Sequence, residues 1–144
     1  MTQVLILNGP NLNRLGSREP DVYGSQNYEE LVAIAEAEAS KLGLTVDVKQ
    51  SNDEAELINW IHGAVDAKTH VIINPAAFTH YSYALRDACA LVTTAGLKLI
   101  EVHISNPHAR ETFRHTSVIS GVATGVIAGF GLDSYRLALV QLSH

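Results

Sequence analysis

The sequence predicts an α/β domain in which a five-stranded parallel sheet carries helices on both faces. Strand-like and helix-like stretches alternate about five times along 144 residues. The apolar runs are too short, and too continuous in apolarity, for an open antiparallel sheet, whereas a sheet buried on both faces by right-handed crossovers needs such strands. No internal repeat, low-complexity tract or linker interrupts the pattern, so residues 1–144 read as a single domain.

Each element has its own signal. Val4 to Leu7 form a short apolar run halted by Asn8-Gly9-Pro10, the pattern of a buried strand entering a loop. A polar stretch reaches Gln26 without either periodicity and reads as a long loop. Asn27 with Glu30 resembles a capping box ahead of Leu31, Ile34, Ala35 and Leu42 at helical spacing, and Gly43 stops that helix. Leu44, Val46 and Val48 alternate as in a strand. Ser51 and Glu54 repeat the cap signal before the stripe Leu57, Trp60, Ile61, Ala64 and Val65. Val71 to Ile73 are the third strand, and a helix from about Ser82 carries Leu85, Ala88, Cys89 and Val92. Leu97 to Val102 form the fourth strand, a short helical piece lies near Glu111, and Gly125 to Ala128 form the fifth. Tyr135, Ala138, Leu139 and Leu142 give the last helix its inward side.

Composition narrows the function. Hydrophobic residues make up 47% and charged residues 17%, a core-rich balance. A formal net charge of −5 with ten Lys and Arg argues against nucleic acid as a partner. The single cysteine, Cys89, excludes an intrachain disulfide and reads as a buried thiol. No signal-peptide pattern opens the chain and no long apolar run is present, so cytoplasmic residence without a membrane partner is expected. Neither HExxH nor a convincing three-ligand pattern implies a metal. Gly125, Gly129 and Gly131 do not make a GxGxxG fingerprint after the first strand, so no nucleotide cofactor is implied.

In an open parallel sheet the ligand crevice lies beyond the carboxyl ends of the strands. The distinctive polar residues fall there: Asn8 and Asn11 after strand one, Asn74, Thr79 and His80 after strand three, Glu101, His103, Ser105 and Asn106 at strand four. With a strand order of 2-1-3-4-5 these three ends surround one pocket. Glu101 and His103, two apart on a strand, point to the same side, and a carboxylate there favours the protonated imidazole that a general acid requires. Polar packing at the sheet rim explains the same spacing equally well. The loop around 15–26 is longer than a simple connection needs and has the length of a lid. Within it, Arg18 is suited to stabilise the phenolate of Tyr23, although packing or a place at the solvent edge is the commoner use of a loop tyrosine. Arg110 and Arg114 are suited either to clamp a carboxylate or to pair with Glu111.

Five segments together resemble the type II 3-dehydroquinate dehydratases over essentially the whole chain. They are I-L-N-G-P-N-L-N-R-L-G at Ile6 to Gly16, R-E-P-x-x-Y-G at Arg18 to Gly24, N-P-x-A-x-T-H at Asn74 to His80, L-R-D-A at Leu85 to Ala88, and E-V-H-I-S-N-x-H-x-R-E-x-F-R-H at Glu101 to His115. The resemblance implies a flavodoxin-like three-layer sandwich and a cofactor-free anti elimination of water from 3-dehydroquinate, giving 3-dehydroshikimate through an enolate. That interconversion serves shikimate-pathway biosynthesis of aromatic amino acids or quinate metabolism alike.

Carried onto this chain, the resemblance makes Tyr23 the base, favoured as phenolate by Arg18. Asn11 steadies the enolate through an ordered water, and His103, oriented by Glu101, is the acid. It places Asn74, His80 and Arg114 on the substrate hydroxyls, with Ile104 and Ser105 around the carboxylate. Asp87 comes from a neighbouring subunit, which implies trimers packed into a dodecamer. Arg110 and His108 are expected to be structural or interfacial. The departures are Ala76, where glycine is frequent, and Tyr81, where a small hydroxyl residue is common. The alternatives are a lyase of the same fold acting on another cyclic hydroxy acid, a flavin-binding module, and a noncatalytic oligomer.

Overall fold

Alternation along the strands splits the core into two layers, one on each face of the sheet. In a computed structural model, which describes residues 2–17 and 19–144 except for the side chains of Pro20 and Tyr23, the strands are β1 (Thr2–Asn8), β2 (Leu44–Gln50), β3 (His70–Asn74), β4 (Leu99–His103) and β5 (Gly125–Ala128). All pairs are parallel and the order is β2-β1-β3-β4-β5, as the sequence predicts. Val4, Ile6, Ile72, Ile100 and Val102 point to one face, where they meet Leu31, Ala35 and Ala39 of α2 (Tyr28–Lys41) and Tyr135, Ala138 and Leu139 of α5 (Asp133–Leu142). Leu5, Leu7, Val71, Ile73 and Leu99 point to the other. There they meet Leu57 and Ile61 of α3 (Glu54–Asp66), and Leu85, Cys89 and Val92 of α4 (Tyr83–Thr94). A sheet buried on both sides is the flavodoxin-like three-layer arrangement.

The helix ends explain themselves locally. Asn27 and Glu30 form a reciprocal capping box at the start of α2, and the Ser82 hydroxyl accepts from the Leu85 N–H at the start of α4. The cap of α3 differs from the expected one. Asp53, not Ser51, is the N-cap and accepts from the Ala55 N–H. The Ser51 hydroxyl accepts from the Asp53 N–H and so braces the capping residue one step earlier. Two further boundaries move. Strand four begins at Leu99, because the Leu97 N–H donates to the Val92 carbonyl and closes the end of α4. The stretch read as featureless to Gln26 contains a 3-10 turn, Leu12–Arg14, and a single helical turn α1 (Pro20–Tyr23). The helical piece near Glu111 is two 3-10 turns, Pro107–Ala109 and Thr112–His115.

The strand ends that matter are fixed in register. Asn8 lies beside both Gln50 and Asn74, and Ile73 lies beside Glu101, so the carboxyl ends of β1, β3 and β4 open onto the same edge of the sheet. Between the first two, the Gly9 N–H donates to the Asn74 carbonyl at 2.8 Å. A β-carbon on Gly9 would meet the Pro75 carbonyl oxygen at 2.6 Å, so only glycine permits this approach.

Cys89 is buried, and burial first, then the negative charge of Glu101, pushes its thiol up to about 12. No helix among the described residues is long and apolar enough to cross a membrane.

Candidate active site

A cleft of about 570 Å³, open to solvent, lies at the strand ends. Its walls are Pro10, Asn11 and Leu12 after β1, Asn74, Ala76, Ala77 and His80 after β3, and His103, Ile104, Ser105, Pro107, Arg110 and Arg114 after β4. Three strand ends therefore supply one site, which is where the reversal of strand order places it.

Behind His103 lies the wholly buried Glu101. Oε2 lies 2.5 Å from Nε2 of His103 and accepts from the Thr79 hydroxyl at 2.6 Å. Oε1 accepts from the Ser120 hydroxyl at 2.5 Å, and the Ser117 hydroxyl spans both oxygens at 3.1 and 3.2 Å. Ser117 is aimed by the Ile119 and Ser120 N–H groups, which donate to its Oγ and leave its proton for the carboxylate or for the Thr79 hydroxyl oxygen 2.6 Å away. Burial on its own raises the carboxyl pKa. The bond to His103 and its charge, with the Ser120 and Thr79 hydroxyls, outweigh burial and leave the pKa of Glu101 below the ordinary carboxylate value. The result is a carboxylate held charged at the base of an imidazole.

That bond orients His103. With Nε2 committed to Glu101, Nδ1 is the ring nitrogen left to meet a ligand. The Ser134 hydroxyl donates to the His103 carbonyl at 3.1 Å and ties the strand end to α5. His80 is held through Nδ1 to the Thr116 carbonyl at 2.8 Å and by an edge contact with Phe113. Its Nε2 is thereby the atom free to bond in the cleft. Arg114 lines the cleft, donates through Nε to Glu111 at 3.1 Å and rests its guanidinium over the Phe113 ring.

The Asn74 amide is gripped at both ends. Its oxygen accepts from the Ala76 N–H at 3.1 Å and its nitrogen donates to the Tyr135 hydroxyl at 2.9 Å. Ala76 itself has φ 52°, in the left-handed region that costs an alanine roughly 1–2 kcal/mol. Glycine at this position is accordingly the less strained choice. Ala76→Gly is expected to raise the unfolding free energy by about 0.5–1 kcal/mol, net of the extra freedom it gives the unfolded chain, read from the urea midpoint. Asn11 has φ 71°, which asparagine tolerates better, and its N–H is held by the Asn52 side chain at 3.0 Å.

These contacts bring Asn11, Asn74, His80, Glu101, His103, Ile104, Ser105 and Arg114 to one cleft or its floor. Asp87 is not among them. It sits on α4 with an exposed side chain 3.0 Å from Arg86. Arg18 and the Tyr23 side chain lie outside the described residues. The backbone of Tyr23 ends α1, and Val22, Gly24 and Gln26 beside it line a groove with Ile104, Ser105 and Arg110.

The class II dehydroquinase model matches residues 2–143. The chain belongs to the class II dehydroquinase family. A 3-dehydroquinate dehydratase of Mycobacteroides abscessus is 60% identical over 94% of this chain and 92% of the relative. One from Salinispora arenicola is 55% identical over 98% and 96%. Among solved structures, a type II dehydroquinase from Propionibacterium acnes superposes with a TM-score of 0.95 at 49% identity, covering 99% of this chain and 97% of that one. A 3-dehydroquinate dehydratase-like protein from Bifidobacterium longum gives a TM-score of 0.78 at 44% identity, covering 100% and 97%.

In this class II dehydroquinase several side chains do more than the sequence discloses. Arg110, expected to be structural or interfacial, lines the cleft, with Nη1 at 3.4 Å from the Ser105 hydroxyl and Nη2 at 3.8 Å from Glu19. The signal in the sequence is a guanidinium close after strand four, suited to clamp a carboxylate. Ser117 and Ser120 reach Glu101 across 16 and 19 residues, a distance at which no local pattern is visible. Tyr135 reads as the inward side of a helix, and its hydroxyl is the part that the apolar pattern hides.

Proposed function

We infer that the chain eliminates water from 3-dehydroquinate to give 3-dehydroshikimate, without a cofactor. The observation that carries this reading is the buried Glu101 carboxylate, bonded to His103 beside a cleft whose walls also carry Asn11, Asn74, His80, Ser105, Arg110 and Arg114, hydrogen-bonding side chains suited to a polyhydroxylated acid. Family membership supplies the substrate class.

The reaction proceeds in two steps. Tyr23, favoured as phenolate by Arg18, removes a proton from the carbon next to the ketone. Charge moves onto the ketone oxygen as an enolate, which Asn11 steadies through a water. His103 then gives its Nδ1 proton to the departing hydroxyl as the enolate collapses to the enone. Glu101 orients the ring and offsets the positive charge that the acid carries beforehand. Asn74, His80 and Arg114 hold the substrate hydroxyls, and Ile104 and Ser105 face the carboxylate. The segment around 15–26 acts as a lid that brings Tyr23 into reach, within a single catalytic domain. The alternative of another cyclic hydroxy acid as substrate keeps the base and acid and changes only the groups that bind.

Asp87 completes the site from a neighbouring subunit, in trimers that assemble further into a dodecamer. Its exposure on this chain suits that role. Asp87→Ala, or dilution below the assembly threshold, is expected to lower activity about tenfold or more. Activity and sedimentation measured on the same samples check it, and full activity in a sample shown to be monomeric contradicts it.

The deciding experiment mixes chelator-treated protein with 3-dehydroquinate and follows the enone absorbance of the product. Absence of a signal from assembled protein would overturn the assignment. Turnover of a related hydroxy acid instead would shift it to the alternative.

A further inference from the structure

Five backbone and side-chain groups from five elements form a single directed chain of hydrogen bonds beneath the cleft. The Asn8 amide nitrogen donates to the Lys49 carbonyl at 3.2 Å, and its oxygen accepts from the Tyr135 hydroxyl at 2.7 Å. The Tyr135 oxygen accepts from Asn74 at 2.9 Å, and the Asn74 oxygen accepts from the Ala76 N–H at 3.1 Å. Asn8, Asn74 and Tyr135 are all at most 3% exposed. Both ends of the chain are backbone groups of fixed polarity, a carbonyl at Lys49 and an N–H at Ala76. Every proton between them is therefore assigned: Tyr135 must donate to Asn8, so it can only accept from Asn74.

We propose that Tyr135 is a positioning residue that acts through Asn74, fixing the plane and polarity of the amide that meets the substrate. The Ala76 N–H alone holds one atom of the amide and leaves it free to swing about that bond. The Tyr135 hydroxyl, on the far atom, supplies the second point, and two points fix the plane. One Nδ2 hydrogen is spent on Tyr135, and the other is the donor that Asn74 offers to an oxygen of the ligand. The site thus reads an acceptor at this position by virtue of a phenol that no substrate touches. Burial, opposed by the Asn74 bond, raises the pKa of Tyr135, so the phenol is kept neutral and its single proton stays on the Asn8 side.

The inference rests on the proposed reaction, and wild-type turnover of 3-dehydroquinate is measured alongside so that the two fail separately. Tyr135→Phe keeps the ring and removes the hydroxyl. It is expected to raise KM about tenfold with kcat changed less than about threefold, since the loss is of binding geometry rather than of the acid or base. In an Asn74→Ala background the same change is expected to alter kcat/KM less than about twofold, because the group through which Tyr135 acts is gone. A purely structural role would lower activity by the same factor in both backgrounds. That result, or an unchanged KM in the Tyr135→Phe protein, overturns the proposal. If Tyr135→Phe fails to fold, Asn8→Ala takes its place. It removes the acceptor of the phenol proton, lets that proton turn against the Asn74 amide, and is expected to raise KM with the same dependence on Asn74.

Discussion

His103→Ala is expected to cut the rate of dehydration by roughly 10²–10⁴-fold, the range for removing a positioned general acid. The proposed order of steps makes the prediction sharper than a loss of rate. Proton removal precedes departure of the hydroxyl, so the His103 variant still forms the enolate and still exchanges the substrate proton with solvent. Tyr23→Phe blocks the earlier step and is expected to lose both exchange and dehydration. Proton exchange followed by NMR in deuterated buffer, beside the enone absorbance, distinguishes the two. Exchange retained in the Tyr23 variant and lost in the His103 variant would reverse the assignment. Because Nε2 of His103 is bound to Glu101, the proposed reaction draws the acid proton from Nδ1 and requires the scissile carbon–oxygen bond on that side of the ring.

Glu101→Ala carries the largest expected cost in stability. Four side-chain donors converge on this wholly buried carboxylate, from His103, Thr79, Ser117 and Ser120, and its removal takes the shared acceptor from all four. Loss of one partner from a buried ionic cluster costs about 3–5 kcal/mol, which a urea titration of the variant measures directly. A variant as stable as the parent would show that the cluster holds no net stabilisation. The same group sets an acid limit. Its pKa in the folded state lies below the ordinary value of 4.5. As pH falls through 4.5 the unfolded chain takes up a proton first, so the stabilisation present above that value declines and is lost through the folded pKa. The parent is therefore expected to lose stability with falling pH in this window, and the alanine variant to show a flatter slope.

Much of the frame was legible because it depends on local periodicity. The Asn27–Glu30 cap, the start of α4 near Ser82, the strand Gly125 to Ala128 and the inward side of α5 all lie within a few residues of their own signals. The Glu101–His103 contact was legible for the same reason, since a strand places residues two apart side by side. Errors arose where two local options compete. Ser51 and Asp53 both offer an oxygen near the start of α3, and the closer one caps it while the other supports it. Leu97 is as apolar as a strand residue, yet its N–H is taken by the preceding helix. The shell around Glu101 and the Tyr135 chain were not legible at all. They join residues separated by 16 to 127 positions, and only the folded topology brings them together.

The contact at Gly9 also bears on how such a site can change over generations. Main chain is pressed against main chain there, with no side chain between the first and third strands. No side chain at Gly9 can reshape that junction, because the first added carbon collides with the Pro75 carbonyl. Changes in substrate preference are open instead to the cleft walls, among residues such as His80, Ser105, Arg110 and Arg114.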